Sequence, residues 1–186
     1  SRKTLTIQQE IVFFNQSEDT LTSIVLNDWM NAYSSKTSPL AKRFSDEFYR
    51  GFHLAKDEER GSTNNLTISS IKKTPLSWER TEKNPDLITV KLGTKLAPNQ
   101  KTTLHLSYIV KVPSDKFTSY CYTDNGGMIL KNWFLAPARL ENHAFVRNSN
   151  CNLDDIANGF SNFDITLIIP KKLELPPALS GSLPPE

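Results

Sequence analysis

Between Thr103 and Val112 the apolar side chains Leu104, Leu106, Tyr108, Val110 and Val112 alternate with Thr103, His105, Ser107 and Lys111. A period of two sends one set to each face of an extended chain, so this stretch predicts a strand with one buried and one largely wet side. Pro113 ends it, because proline has no N–H for a ladder. The same period recurs in Leu5, Ile7, Ile11 and Phe13, broken only by Gln9, and predicts an opening strand. The polar cluster Asn15-Gln16-Ser17-Glu18-Asp19 is turn chemistry, and the run Leu21 to Trp29 is expected to return beside that strand as a hairpin. Further strands are expected over Leu66 to Ile71, around Ile88, Val90 and Leu92, over Met128 to Leu135 after the Gly126-Gly127 turn, and at Phe163, Ile165, Leu167 and Ile169 before Pro170.

One segment has a helical period. Ser38 can cap a first turn, Pro39 suits the first helical position, and Gly51 stands where the helix should stop, which predicts a short helix over 38–50. Leu40, Phe44 and Phe48 are expected on its buried face. Lys42 with Asp46 and Arg43 with Glu47 are expected as pairs on its wet face. Short strands joined by turns, with one early helix and no strand–helix alternation, imply a mainly β fold of antiparallel sheets in a sandwich arrangement. Residues 1–175 are expected as one domain. The stretch 176–186, rich in proline and without periodicity, is expected as an extended tail or a truncated domain end.

The 22 basic and 20 acidic residues of this 186-residue chain nearly cancel, so no field draws the whole surface to nucleic acid or to an anionic membrane. No apolar run approaches the ~20 residues that cross a bilayer, and Ser1-Arg2-Lys3-Thr4 leads into a strand pattern without a signal-peptide core. A mature exported domain has the same appearance, and an exported or periplasmic home is the expectation. Cys121 and Cys151 allow one bridge in an oxidising compartment, and free thiols are the expectation. His53, His105 and His143 lie far from one another and from the cysteines, so no metal is expected in this chain.

Other candidate chemistry is sparse. His53 and Asp57 have the i, i+4 spacing of a metal or acid–base pair, though a surface or packing histidine is the simpler reading. Asp154-Asp155 places adjacent carboxylates that point different ways, which suits a turn cap. Asn15-Gln16-Ser17 and Asn65-Leu66-Thr67 fit the glycosylation acceptor pattern. Phe117, Tyr120, Tyr122, Trp133 and Phe134 are expected mainly as core. The alternative is an aromatic platform of Tyr120, Tyr122 and Trp133 in a stand-alone carbohydrate- or protein-binding module. No Gly-x-Ser-x-Gly elbow, phosphate-cradling Gly loop or His-Glu-x-x-His pair occurs, so the chain is not expected to catalyse alone.

Several segments taken together resemble a known family. Leu26-Asn27-Asp28-Trp29, the run Pro39 to Phe48, Phe52-His53-Leu54-Ala55 with Glu59-Arg60-Gly61, Leu96 to Gln100, and Leu104 to Tyr108 are similar to the N-terminal region of bacterial zinc metallopeptidases related to aminopeptidase N. Phe117-Thr118-Ser119-Tyr120, Trp133 to Ala138 and Asn152 to Asp155 extend the resemblance, which covers about Leu5 to Pro170. It implies a saddle-shaped β-domain that precedes a thermolysin-like catalytic domain and covers one side of its active site. The zinc, its ligands and the general-base glutamate would belong to that next domain, leaving no cofactor here. The partners implied are the catalytic domain of the same polypeptide and the parent enzyme's peptide substrate. Many members place an acidic or amide side chain near the substrate's free amine, after the strand corresponding to Met128 to Leu135. Ala136-Pro137-Ala138 stands at that place here, and Arg139, Glu141 and Asn142 are the neighbouring substrate-facing candidates. A subunit-interaction domain with an exposed apolar patch meant for the catalytic domain is a related reading.

Overall fold

The computed structural model describes residues 3–151 and 158–169. It is mainly β, with few and short helices. Strand β1 (Thr4–Phe14) opens the chain, followed by β2 (Leu21–Asn27) and a 3-10 turn over Trp29–Tyr33. Helices α1 (Pro39–Asp46) and α2 (Gly51–Leu54) and a second 3-10 turn, Asp57–Glu59, come next. The remaining strands are β3 (Ser62–Ser70), β4 (Trp78–Glu79), β5 (Leu87–Leu96), β6 (Lys101–Lys111), β7 (Ala136–Pro137), β8 (Leu140–Glu141) and β9 (Ala144–Phe145).

These strands pair antiparallel throughout. One sheet has the order β1-β6-β3, a second β4-β5-β2-β7, and β8 pairs with β9 in a small hairpin. The alternation of β6 appears as expected, with Leu104, Leu106, Tyr108 and Val110 buried. They meet Ile7 and Ile11 of β1, Ile68 of β3, and Ile24, Leu26, Ile88 and Val90 of the second sheet in one core. Gln9 is no interruption of β1. It is half-buried on the inner face, where its amide accepts the Tyr108 hydroxyl proton (2.5 Å) and donates to the Leu135 carbonyl (2.7 Å).

The hairpin expectation fails. β1 pairs with β6 and β2 with β5, so the polar cluster 15–19 carries the chain from one sheet to the other. Asn15 sets the corner: its backbone bonds Gln100 and Asn99, and its buried amide donates to the carbonyls of Asp19 (2.7 Å) and Leu96 (3.2 Å). The β5–β6 turn crosses at the same end. One side chain thereby joins both crossovers, an arrangement that a period-two pattern does not encode.

The helix is shorter than expected. Ser38 caps α1 by accepting from the Ala41 N–H (3.1 Å) with Pro39 behind it, but the helix ends at Asp46. Leu40 and Phe44 are buried, whereas Phe48 lies past the helix end at φ 59° and is exposed. Gly51 begins α2 instead of stopping α1. Of the two expected ion pairs only Arg43–Glu47 forms (2.6 Å). Gly61 is needed for close packing, because a Cβ there would come within 3.0 Å of the Met30 carbonyl and of the Pro113 ring.

Met128 to Leu135 is not a strand. Gly126 at φ 84° closes a turn, Tyr122 and Met128 make a single bridge, and the Ile129 N–H donates to the Cys121 carbonyl (2.8 Å) before the chain loses its ladder. Leu135 is still fully buried, held by Gln9 and by its N–H to the Tyr108 oxygen (3.0 Å). The expected last strand also lacks a ladder among the described residues: Phe163 to Ile169 belongs to no sheet and is exposed. Asp154-Asp155, Pro170 and the tail 176–186 lie outside the described residues.

Candidate functional site

The candidates Arg139, Glu141 and Asn142 share the β8–β9 hairpin. Leu140 pairs with Phe145 and Glu141 with Ala144, while Asn142 (φ 46°) and His143 (φ 66°) take the left-handed conformation that a two-residue hairpin turn requires. Asparagine tolerates that conformation better than most residues. Three contacts fix the hairpin. The Ala138 N–H donates to the Val25 carbonyl (2.8 Å), His143 Nδ1 lies 2.7 Å from Asp19 Oδ2, and the Phe145 ring packs on Phe13 at 6.1 Å. Arg139 Nε stands 2.6 Å from Glu141 Oε1 with both side chains about half exposed, a pair that holds the hairpin surface weakly. The Glu141 carboxylate thus already has a cation beside it.

The aromatic candidates do not form an exposed row. Tyr122 is buried with Lys3 Nζ 3.5 Å from its ring centre, and Phe117 is buried against Phe44 and Phe52. Tyr120 is half-buried with Lys131 Nζ 4.7 Å from its ring. Trp133 packs edge-on to Phe134 (5.4 Å), which meets Phe163 (5.0 Å). His53 and Asp57 do not share a helical face, since α2 ends at Leu54. His53 approaches Ser45 Oγ (3.4 Å) and Asp57 pairs with Arg60. Asn15 is buried and engaged at the corner, whereas Asn65 is exposed in a β3 bulge at φ 53°. Cys121 is buried, Cys151 is exposed, and both are free. Among the described residues, no three His, Cys, Asp or Glu side chains converge closely enough for a metal ion.

No sequence motif marks the buried polar cluster around Asp28. This carboxylate accepts from Thr63 Oγ1 (2.6 Å) and from Arg80 Nη2 (2.5 Å), and its backbone N–H donates to the Asp86 carbonyl (2.7 Å). Asn31 donates to the Pro85 carbonyl (2.6 Å) and accepts from the Thr63 N–H (3.0 Å). Asp86 in turn accepts from the Ser149 hydroxyl and the Asn150 N–H. Burial raises Asp28 from 3.8 to about 6, against the opposing pull of Arg80 and the Thr63 hydrogen bond. Burial also raises Asp86. Asp28 is only 2% exposed, so its acid–base capacity faces the protein interior. The cluster ties the first 3-10 turn, β3, Arg80 beside β4 and the segment at 149–150 together. The one local signal is an acid, Asp28, within the mostly apolar run from Ile24 to Met30, which alternation counting passes over.

Exposed apolar surface gathers near the end of the described chain. Phe160, Phe163, Ile165 and Ile168 are exposed, Leu167 and Ile169 slightly less so. The segment is tethered at its start, where Asn158 bridges Ala138 and its amide oxygen accepts from Asn27 (2.8 Å). Compared with known proteins, the chain matches no family model and no curated sequence.

Proposed function

We propose that this chain is the non-catalytic N-terminal β-domain of a zinc aminopeptidase-like metallopeptidase, docking on the catalytic domain of the same polypeptide and walling one side of its substrate channel. The observation that carries the reading is the exposed apolar stretch 160–169, whose alternate apolar residues have the pattern of a strand without a partner. Apolar surface of this extent on a globular domain is commonly the face of an interaction. In this reading the catalytic domain covers that face. The hairpin bearing Arg139, Glu141 and Asn142 would then stand at the rim of the channel, with Glu141 offering a carboxylate to a free amine. Zinc, its ligands and the bond-breaking step belong in this reading to the catalytic domain.

The test is an activity comparison. The purified 186-residue chain, supplied with zinc and a fluorogenic aminoacyl substrate, is expected to show no turnover. The polypeptide encoded by the full reading frame is expected to turn the substrate over and to lose activity to a chelator. Turnover by the short chain, or a full reading frame without a His-Glu-x-x-His helix, contradicts the assignment.

A further inference from the structure

The edge strands of this fold are short or irregular, with one exception. β4, β7, β8 and β9 have two residues each, and β3 is broken by the bulge between Asn64 and Thr67, with Asn65 at φ 53°. β1 runs eleven residues against β6 without a register shift, contains no proline and carries a single charge, Glu10. Two bonds at its ends fix the phase of its ladder. The Val112 N–H donates to the Lys3 carbonyl (2.9 Å) and the Asn15 N–H to the Gln100 carbonyl (2.9 Å), both in the register of β1 with β6. Odd-numbered residues of β1 therefore bond β6, and the backbone N–H and C=O groups of Thr4, Thr6, Gln8, Glu10, Val12 and Phe14 point to the open edge. All six residues are exposed, and among the described residues no hydrogen bond reaches these backbone groups.

We propose that two copies of this chain pair antiparallel through β1 about a two-fold axis, joining their first sheets into one continuous sheet in the order β3-β6-β1-β1-β6-β3. A second copy is the occupant this edge specifies, because the strand is complementary to itself. Edge-facing residues must stand opposite edge-facing residues, so the register moves only in steps of two. With the axis at Gln9, every edge-facing residue has an opposite: Thr4 meets the second copy's Phe14, Thr6 its Val12 and Gln8 its Glu10. An amide donor thus faces the one carboxylate of each strand. A step one way sets Glu10 against Glu10, and a step the other way leaves Phe14 unopposed. The exposed apolar side chains Val12 (56%) and Phe14 (47%) gain cross-strand neighbours on the outer face. On the inner face Ile7 falls opposite Ile11 and Leu5 opposite Phe13, so the two cores continue across the joint. An edge-to-edge contact buries less than a standard interface, and the association is modest.

Sedimentation of the 186-residue chain over a concentration series up to about 1 mM is expected to show a monomer–dimer equilibrium. Residue-resolved amide exchange is expected to slow by about fivefold or more at Thr6, Gln8, Glu10 and Val12 toward the top of the series, while Ile7 and Ile11, already bonded to β6, change little. Gln8→Glu opposes like charges twice and is expected to weaken association roughly three- to tenfold. Gln8→Glu with Glu10→Gln exchanges the two members of the pair and is expected to restore it. Thr6→Pro removes an N–H that faces the open edge, and is expected to abolish association with the β1–β6 ladder kept. Ile168→Ser is expected to leave association unchanged. A chain that stays monomeric throughout, edge-facing amides that exchange equally fast at every concentration, or a Gln8–Glu10 exchange that fails to restore pairing overturns the proposal. Association lost with Ile168→Ser and kept with Thr6→Pro would place the contact at the apolar stretch 160–169 and overturn it as well.

Discussion

The ladder of β1 with β6 and the stretch Phe163 to Ile169 carry similar apolar alternation, yet only the first becomes sheet. β1 and β6 pair over eleven consecutive positions without a register shift, and their inner residues meet the second sheet in one core. Phe163, Ile165, Leu167 and Ile169 also alternate, with Ile168 breaking the pattern, and the stretch stays exposed, while the apolar stretch Met128 to Leu135 is held by turns and by two polar side chains of the first sheet. Alternation prepares a face, and a strand needs in addition a neighbour with free N–H and C=O groups.

The sharpest way to probe this contrast is at the polar knot that binds the later chain to the sheets. Arg80→Ala leaves Asp28 buried without its counter-ion and is expected to cost about 3–5 kcal/mol at neutral pH, read by denaturant unfolding. The cost should shrink as pH falls, because a protonated Asp28 no longer needs the guanidinium. In the wild type the sign follows from the raised value. The native state holds its proton more tightly than the unfolded chain, so the contribution of Asp28 is present below 3.8 and is lost as pH rises through about 6. Asp86, raised in the same direction, adds to that slope. Melting temperatures measured from about pH 4 to 7 would show it, and a slope from this site in the opposite sense would contradict the burial described for Asp28.

Leu104→Ala, at a fully buried position of β6, is expected to cost about 2–5 kcal/mol in unfolding experiments. Tyr108→Phe tests the clasp between the two regions. It strands the Leu135 N–H and one Gln9 acceptor, with an expected cost of about 1–3 kcal/mol and faster hydrogen exchange at 133–136. Ile168→Ser should change the stability of this chain by less than about 0.5 kcal/mol, since its side chain is 95% exposed. A large loss from Ile168→Ser, or a negligible one from Leu104→Ala, would dissolve the distinction between the regions.

Much of the sheet structure is legible from single residues. The burial of Leu104 through Val110, the Ser38 cap with Pro39 behind it, and the mainly β class follow from period and capping chemistry. The crossover at Asn15 is not legible, because turn residues look alike whether they return a strand to its neighbour or to the facing sheet. Phe48 defeats the helical pattern because that spacing continues on paper after the backbone has turned left-handed. The Asp28 knot is hidden for another reason: its members come from 28, 31, 63, 80, 86 and 149–150, and only the fold brings them together. Arg139, Glu141 and Asn142 are candidates by resemblance alone, and neither the hairpin that carries them nor the Arg139–Glu141 pair has a signal in residue type.

The docking role requires the apolar stretch 160–169 to be a covered face in the complete polypeptide. Hydrogen–deuterium exchange of that stretch, compared between the 186-residue chain and the polypeptide of the full reading frame, tests this most directly. The expected result is exchange slowed by at least about tenfold in the longer polypeptide, with β6 unchanged. Equal exchange of 160–169 in both would contradict the docking role.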